Sequence, residues 1–267
     1  MRHLIAFGWQ VSHHHSAMGA CREVGLMVVE KVAADKSAAS AILPLESGDR
    51  LTRSEFEQRY HAMPNLKKAE LIEGVVYVPS PVRYTSHAKP HAFIVGWLIA
   101  YAAVTPGVDL GDNATVRLDM DNEPQPDVLL RIDEQSGGQS YVTPDDYIEG
   151  SPELIVEIAA SSASYDVHDK LRVYRRNQVQ EYLVWRVHEQ RFDWWRLRDG
   201  AYVLLEADTA GIVRSEIFPG LWLDVPALLD GKLADVLAAL QTGLATPEHQ
   251  AFVERLQRLQ NRQDQTS

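Results

Sequence analysis

Cysteine and long apolar segments are both nearly missing from this chain of 267 residues. The single cysteine, Cys21, excludes an intramolecular disulfide and is typical of a protein from a reducing compartment. The apolar run Leu4-Ile5-Ala6-Phe7 is too short to span a membrane, and no signal-peptide cleavage site follows it. We therefore expect a cytoplasmic protein with no membrane partner.

Excess positive charge is also missing, which argues against a protein that coats nucleic acid. The formal net charge is −11 at pH 7. The distribution is uneven, because the window 165–200 holds eight Lys or Arg against six Asp or Glu, a net +2 that leaves −13 for the remainder. Any contact with DNA is therefore expected to be local, although the same window also fits a solvated helix face.

Signatures of common cofactors are absent too. The sequence has no Gly-rich phosphate loop, no zinc-type Cys/His spacing and no internal repeat. His13-His14-His15 lacks a second ligand group and is typical of an exposed tract. A candidate site is therefore to be sought among the carboxylates.

Two short apolar runs each carry one carboxylate where a buried strand is predicted. Asp127 directly precedes Val128-Leu129-Leu130, and Glu157 directly follows Leu154-Ile155-Val156. An ionised carboxylate beside a buried strand is costly unless a cation or hydrogen-bond donors compensate it. If the two strands are neighbours, both carboxylates can bind one divalent ion, and Mg²⁺ favours a site of one or two carboxylates with waters.

A lysine follows on the next predicted helix, which begins near Asp166. Asp166, Lys170 and Tyr174 share one face of that helix, and we expect Lys170 to point toward Asp127 and Glu157. There its ammonium group can orient a water or neutralise charge on a phosphate. A second interpretation stays open, in which the carboxylates cap strand ends and Lys170 pairs with Asp166 one turn earlier.

Glu70 is a candidate third acidic group. It opens a predicted hairpin whose turn is Glu73-Gly74 and whose second strand is Val75-Val76-Tyr77-Val78. An exposed strand glutamate is the alternative interpretation of Glu70. His91 stands at the start of an apolar helix and His87 four residues earlier; a structural role is favoured for both, with a catalytic or phosphate-binding role as the alternative.

The order of these residues resembles the bacterial "putative restriction endonuclease" family, which is similar to the PD-(D/E)XK nucleases. The resemblance covers roughly residues 50–205. The residues that carry it are Glu70 to Gly74, the His91 helix, Pro126-Asp127, Val156-Glu157-Ile158, Ser161-Ser162, Asp166, Lys170, Tyr174 and Glu181-Tyr182. It implies that Asp127 and Glu157 are the metal-binding carboxylates. One position departs from the wider nuclease pattern: Ala159 stands where a lysine is expected, and the resemblance implies that Lys170 replaces it.

The element order predicts one ordered domain with appendages. We expect an α/β (α+β) fold of the restriction-endonuclease-like type, with a mixed β-sheet flanked by helices, an N-terminal hairpin and C-terminal helices. The predicted limits are a flexible extension over 1–45, the nuclease-like domain over 46–225 and a helical appendage over 226–267. In the last segment Phe252, Leu256 and Leu259 form an apolar stripe for docking on the core or on a partner subunit.

Two functional classes are compatible with these patterns. The favoured one is a Mg²⁺- or Mn²⁺-dependent DNA endonuclease, in which Asp127 and Glu157 bind metal, Lys170 acts on water or charge, and Glu70 adds to the acidic cluster. The alternative is a nuclease-fold protein without cleavage activity that serves as a binding or regulatory module. Because DNA has two strands and each chain one site, a homodimer is expected.

Overall fold

The structure, a computed structural model, describes residues 42–79, 81–160 and 165–264. The predicted extension over 1–45, with Cys21 and the three histidines, therefore lies largely outside the described residues. The strands are β1 (Glu70–Ile72), β2 (Val75–Tyr77), β3 (Val108–Asp112), β4 (Val116–Arg117), β5 (Val128–Ile132), β6 (Ser140–Val142), β7 (Ile148–Gly150), β8 (Leu154–Ala159), β9 (Glu181–Arg186), β10 (Arg191–Arg198), β11 (Ala201–Leu204), β12 (Ile212–Arg214) and β13 (Trp222–Asp224).

The α-helices of the described residues are α1 (Arg53–His61), α2 (Lys89–Ala102), α3 (Leu171–Arg176), α4 (Val225–Leu229), α5 (Leu233–Leu244) and α6 (Pro247–Asp264). Along the chain, α1 precedes the first strand, α2 and α3 lie between strands, and the other three helices follow the last strand. A π-helical turn leads into each of α2 and α3, over Tyr84–Ala88 and Asp166–Lys170 respectively. None of the helices in the described part of the chain is both long and apolar enough to cross a membrane.

The main sheet has six strands in the order β11-β10-β9-β8-β5-β3. β8 and β9 are parallel and are joined through α3, whereas the other neighbours in this sheet pair antiparallel. The predicted mixed sheet flanked by helices is therefore confirmed. The predicted hairpin is also confirmed, since β1 pairs antiparallel with β2 across Glu73 and Gly74, both at positive φ.

The register of β5 and β8 decides where the two candidate carboxylates lie. Val128 pairs with Val156 and Leu130 with Leu154, so positions 127 and 157 are opposite by extension of the same register. Opposite residues of antiparallel strands project to the same face of a sheet. Asp127, in the bend just before β5, and Glu157 on β8 therefore lie at the same end of this strand pair.

The two faces of the sheet bury different helices. Val128, Leu130, Val156 and Ile158 join the larger core, which includes Trp97 of α2. The alternate positions Leu129, Ile155 and Ala159 join a second core with Tyr174 of α3. Glu157 belongs to this second set by the same alternation, so its side chain faces α3.

The C-terminal helices complete the larger core. Phe252 and Leu256 are buried there, while Leu259 stays 36% exposed. The predicted apolar stripe thus packs on the chain's own core and does not offer Phe252 and Leu256 to a partner subunit. The homodimer itself stays a prediction.

Three element predictions need correction. The residue pattern from Ala114 to Leu118 predicts one strand, but only Val116–Arg117 forms it, and this strand pairs with β7 in a separate small sheet. Strand β3 was not predicted, because its Asp and Gly residues have low strand propensity. Its extended conformation is stabilised by antiparallel pairing with β5. The segment from Gly137 to Gly150, whose polar sequence predicts a connection, contains strands β6 and β7.

Candidate active site

Asp127 lies immediately before β5 and is 5% exposed. Its Oδ2 accepts a hydrogen bond of 2.8 Å from the backbone N–H of Ile158, the residue after Glu157 on β8. This bond ties the end of one central strand to the end of its neighbour. The other carboxylate oxygen, Oδ1, is on the side of Lys68.

Two basic side chains surround the Asp127 carboxylate. The imidazole Nε2 of His87 is 3.2 Å from Oδ2, and Nζ of Lys68 is 3.7 Å from Oδ1. Burial raises the pKa of Asp127, but the His87 hydrogen bond and the charges of Lys68 and His87 outweigh burial, and the pKa falls to about 2. The carboxylate is therefore ionised at neutral pH, as a metal ligand has to be.

His91 supports the same residue from its backbone side. Its Nε2 lies 3.1 Å from the carbonyl oxygen of Asp127 and 3.0 Å from Oδ1 of Asp112. The His87 and His91 rings stack with centroids 5.9 Å apart, since the turn before α2 continues into the helix. Together, His87 contacts the side-chain carboxylate of Asp127 and His91 contacts its backbone carbonyl.

Glu157, Lys170 and Glu70 form a buried ionic cluster. Nζ of Lys170 lies 2.9 Å from Oε1 of Glu157 and 3.0 Å from Oε1 of Glu70. Exposed fractions are 3% for Glu157, 3% for Lys170 and 6% for Glu70. Glu70 also accepts a 2.8 Å bond from the backbone N–H of Gln125, which precedes Asp127 by two residues. The hairpin and the sheet are thereby joined at the site.

Two tyrosines adjoin the lysine. The hydroxyl of Tyr174 on α3 donates a 2.9 Å hydrogen bond to Oε1 of Glu157. Burial, with the charges of Glu157 and Glu70 adding to it, raises the pKa of Tyr174 well above its usual range, so the phenol keeps its proton and donates. Nζ of Lys170 lies 5.4 Å from the ring centroid of Tyr165, within cation–π range.

The predicted site residues fall at one end of the main sheet. Lys170 contacts Glu157 and Glu70, while Asp127 is bonded to the N–H that follows Glu157. Ala159, where a lysine was expected, packs among apolar residues of the second core. The predicted role of Asp166 in positioning Lys170 concerns a side chain that lies outside the described part of the structure. The roles assigned to these residues stay predictions.

Sequence reasoning missed two partners of Asp127. Lys68 gives no local signal, because it precedes the hairpin and is far from Asp127 along the chain. For His87, the four-residue spacing to His91 on a helical segment was a signal, but it was interpreted as structural. Both residues contact Asp127 only after the hairpin and α2 pack against the sheet.

The side chains fit a hard divalent cation by chemistry. Mg²⁺ takes oxygen ligands, keeps several waters, and binds through as few as one or two carboxylates. Across the described ranges, no group of three or more His, Cys, Asp or Glu residues is arranged to hold a metal. A site with three or more such protein ligands is therefore not formed by the described residues, and a cation held by Asp127 and Glu157 stays a prediction.

Comparison with known proteins relates the chain to one family. A family model described as "Uma2: Putative restriction endonuclease" matches residues 53–226, well over half of the chain. A similar solved structure is the crystal structure of a "putative nuclease belonging to DUF820" from Anabaena variabilis ATCC 29413, at 13% identity and TM-score 0.46, covering 68% of this chain and 97% of that chain. A search of curated proteins finds no match. The family match includes each site residue described above, from Lys68 to Tyr174.

Proposed function

The chain belongs to the Uma2 family of "putative restriction endonucleases", and from this premise we propose that it is a Mg²⁺- or Mn²⁺-dependent DNA endonuclease. The observation that carries the proposal is the placement of Asp127 just before β5 and of Glu157 on the neighbouring buried strand β8, with Lys170 bonded to Glu157. Two ionisable carboxylates and a lysine at one buried strand end are costly for stability and are typical of functional sites.

The proposed reaction is hydrolysis of a phosphodiester. The oxygen of a water forms a bond to phosphorus, the bond from phosphorus to the leaving sugar oxygen breaks, and that oxygen takes up a proton. Asp127 and Glu157 would hold the cation, and a bound Mg²⁺ or Mn²⁺ would supply a Lewis acid that polarises the phosphate. Lys170 would orient the water or stabilise the charge that builds up on the phosphate oxygens.

The remaining side chains position these groups. Glu70 and Glu157 fix the Lys170 ammonium group between them at 3.0 and 2.9 Å. Tyr174 donates to Glu157, and His87 holds Oδ2 of Asp127. A site held on rigid strands by such contacts keeps its reacting groups aligned, which is where much of the rate enhancement of an enzyme arises.

Nicking of supercoiled DNA in the presence of Mg²⁺ or Mn²⁺ tests the proposal. Wild type is expected to produce nicked and linear DNA, whereas Asp127→Asn and Glu157→Gln are expected to lose most of the activity. Asp230→Asn is the matched control, because that aspartate is on the surface and pairs only with Lys232 among the described contacts. Equal rates for wild type and Asp127→Asn would contradict the proposal.

The second candidate function is that of a nuclease-fold protein without cleavage activity. One observation favours it: cationic side chains of the chain itself already contact the carboxylates, with Lys68 at Asp127 and Lys170 at Glu70 and Glu157. A site stabilised in this way does not need a metal to fold. Binding of DNA by wild type without nicking under either ion would favour this alternative.

A further inference from the structure

A groove opens between two segments near the site. One wall is residues 83–86, ahead of α2, and the other is residues 187–190, after β9. The groove has a volume of about 550 Å³. Its lining combines a guanidinium, a phenol, hydroxyl groups, an imidazole and an amide, from Arg83, Tyr84, Thr85, Ser86, His188 and Gln190.

Both walls of this groove are continuous with the candidate active site. The turn Tyr84–Ala88 that forms one wall also contains His87, which contacts Oδ2 of Asp127. The other wall follows β9, whose Val184 pairs with Glu157 in the parallel ladder. Since parallel strands end at the same side of a sheet, the groove lies beside the end of the sheet where Asp127 and Glu157 are placed.

The exposed groups of the groove suit a nucleic acid. Tyr84 is 74% exposed, a high value for a large aromatic side chain. Arg83 is exposed, and its guanidinium has no ion pair or hydrogen bond with any residue that the structure describes. Arginine binds phosphate through a planar pair of donors, and aromatic rings bind bases by stacking.

Charge near the groove favours an anionic ligand. Glu189 is adjacent to the lining residues His188 and Gln190, but Arg186 compensates it at 2.9 Å. Among the lining residues only Arg83 carries a fixed charge, so the lining itself is positive although the whole chain carries −11. A polyanion is attracted here and repelled by much of the remaining surface.

We propose that this groove binds the DNA strand adjacent to the scissile phosphate, with Arg83 on a backbone phosphate and Tyr84 stacked on an unpaired base. This inference rests on the proposed nuclease function. Arg83 precedes His87 by four residues, and the turn between them joins the groove to the side chain that contacts Asp127.

The stacking contact predicts which DNA binds best. A tyrosine ring reaches the face of a base only where that base is unpaired, as in single strands, flaps or frayed ends. The groove therefore predicts preference for DNA with unpaired nucleotides next to the cut. Bases in an intact duplex would present only their edges to the groove.

Fluorescence anisotropy in metal-free buffer tests binding separately from cleavage. Labelled single-stranded DNA, duplex DNA and single-stranded RNA of the same sequence are titrated with wild type, Arg83→Ala and Tyr84→Ala. Tyr84→Ala is expected to weaken single-stranded DNA binding about 5- to 100-fold and duplex binding much less, while Tyr84→Trp restores it. Arg83→Ala is expected to weaken binding to each DNA and to lower the slope of log Kd against log salt by about 0.7–0.9.

The matched controls are Tyr141→Ala and Arg258→Ala, exposed residues on β6 and α6 that are outside the groove lining. Because all four side chains are on the surface, melting temperatures should stay within a few degrees of wild type. Affinities of Arg83→Ala and Tyr84→Ala equal to those of the controls would overturn the proposal. Absence of DNA binding by wild type, or equally tight binding of RNA, would overturn it as well.

The outcome separates this inference from the proposed function. If wild type nicks DNA but the groove variants bind like wild type, the groove assignment is wrong and the nuclease proposal stands. If wild type never nicks DNA but binding depends on Arg83 and Tyr84, the groove assignment stands and the chain is a DNA-binding protein without cleavage activity.

Discussion

Lys170 is almost fully buried between two glutamates, so its removal has two separate consequences. Its ammonium group is the nearest counter-charge to Oε1 of both Glu70 and Glu157 among the described contacts. Truncation therefore removes the group proposed to act on water or phosphate. It also leaves two buried carboxylates without that compensation, which costs more than a lost surface pair.

We expect Lys170→Ala to slow nicking of supercoiled DNA by about 10²- to 10³-fold, the usual effect of losing one charge-stabilising group. The same variant is expected to lose about 3–5 kcal/mol of unfolding free energy, as buried pairs do when one partner is removed. Urea unfolding measures the second effect. Lys232→Ala is the control, since its surface pair with Asp230 contributes about 0–1 kcal/mol. A folded Lys170→Ala variant that nicks at the wild-type rate would contradict the assigned role.

Glu123 is a second buried carboxyl group, outside the candidate active site. It is 2% exposed and lies near Glu57 and Arg117. Burial raises its pKa, the hydrogen bond and charge of Glu57 raise it further, Arg117 and Arg53 oppose the rise, and the resulting pKa is about 8. The folded state thus holds a proton that an unfolded glutamate, with a pKa of 4.5, releases.

This difference predicts how stability depends on pH. Between about pH 4.5 and pH 8 the unfolded state binds fewer protons than the folded state, so stability falls as pH rises through that window. Glu123→Gln cannot ionise and should lack this loss. From pH 5 to pH 8, urea unfolding should show the variant gaining on the order of 3 kcal/mol relative to wild type, at about 1.4 kcal/mol per pKa unit. Glu254→Gln, an exposed control, should run parallel to wild type, and a parallel Glu123→Gln profile would contradict the assignment.

Helices α2 and α5 each contain a glycine, Gly96 in the middle of α2 and Gly243 in the last turn of α5, and the two differ in their surroundings. A Cβ added at Gly96 of α2 would meet nothing within 4 Å. A Cβ added at Gly243 of α5 would lie 2.8 Å from Cγ of Trp222 and would also collide with the carbonyl oxygen of Gly220. The backbone of α5 therefore approaches the segment around β13 too closely for any side chain.

We expect a glycine-to-alanine substitution to change stability in opposite directions in these two helices. Gly96→Ala should stabilise the protein by about 0.5–1 kcal/mol, because alanine has the higher helix propensity. Gly243→Ala should destabilise it by about 1–3 kcal/mol, because the contact must open to admit the methyl group. Thermal unfolding of the two variants checks both values, each serving as the control for the other. Stabilisation by Gly243→Ala would show that α5 is not packed this closely.

Metal binding is expected to act on the whole molecule, because the proposed ligands come from different strands. Mg²⁺ or Mn²⁺ bound only by the folded state should raise the melting temperature. At a free ion concentration of 100 times the Kd, the free energy of unfolding should increase by about 2.7 kcal/mol. Isothermal titration calorimetry should show binding that Asp127→Asn weakens at least about tenfold, whereas the surface variant Asp230→Asn should bind like wild type. Unchanged affinity in Asp127→Asn would contradict its assignment as a ligand.

Much of the fold was predictable because it depends on short-range patterns. The hairpin β1–β2 follows from alternation around Glu73-Gly74, and α2 follows from an apolar run of helical length. The meander of β10 and β11 follows from the turn at Asp199-Gly200, both at positive φ. Strand β3 escaped prediction because its conformation depends on pairing with β5.

The sequence by itself determined which carboxylates of the candidate site lie beside buried strands. Asp127 and Glu157 stand beside apolar runs that must be buried, and a carboxylate next to such a run requires compensation whatever the final fold. The helical spacing after Asp166 also predicted that Lys170 points toward Asp127 and Glu157, and the structure places its ammonium group at Glu157. These inferences needed only local periodicity and the cost of burying charge.

Only the tertiary structure decided which group compensates which carboxylate. Glu70 is 100 positions from Lys170, and Lys68 lies on a segment separate from the strand of Asp127, so no local pattern relates them. Their contacts arise when the hairpin packs against the end of the sheet and α2 brings His87 beside Asp127. Electrostatic interactions act through space and strengthen as water is excluded, so the partners become defined only after the chain has packed.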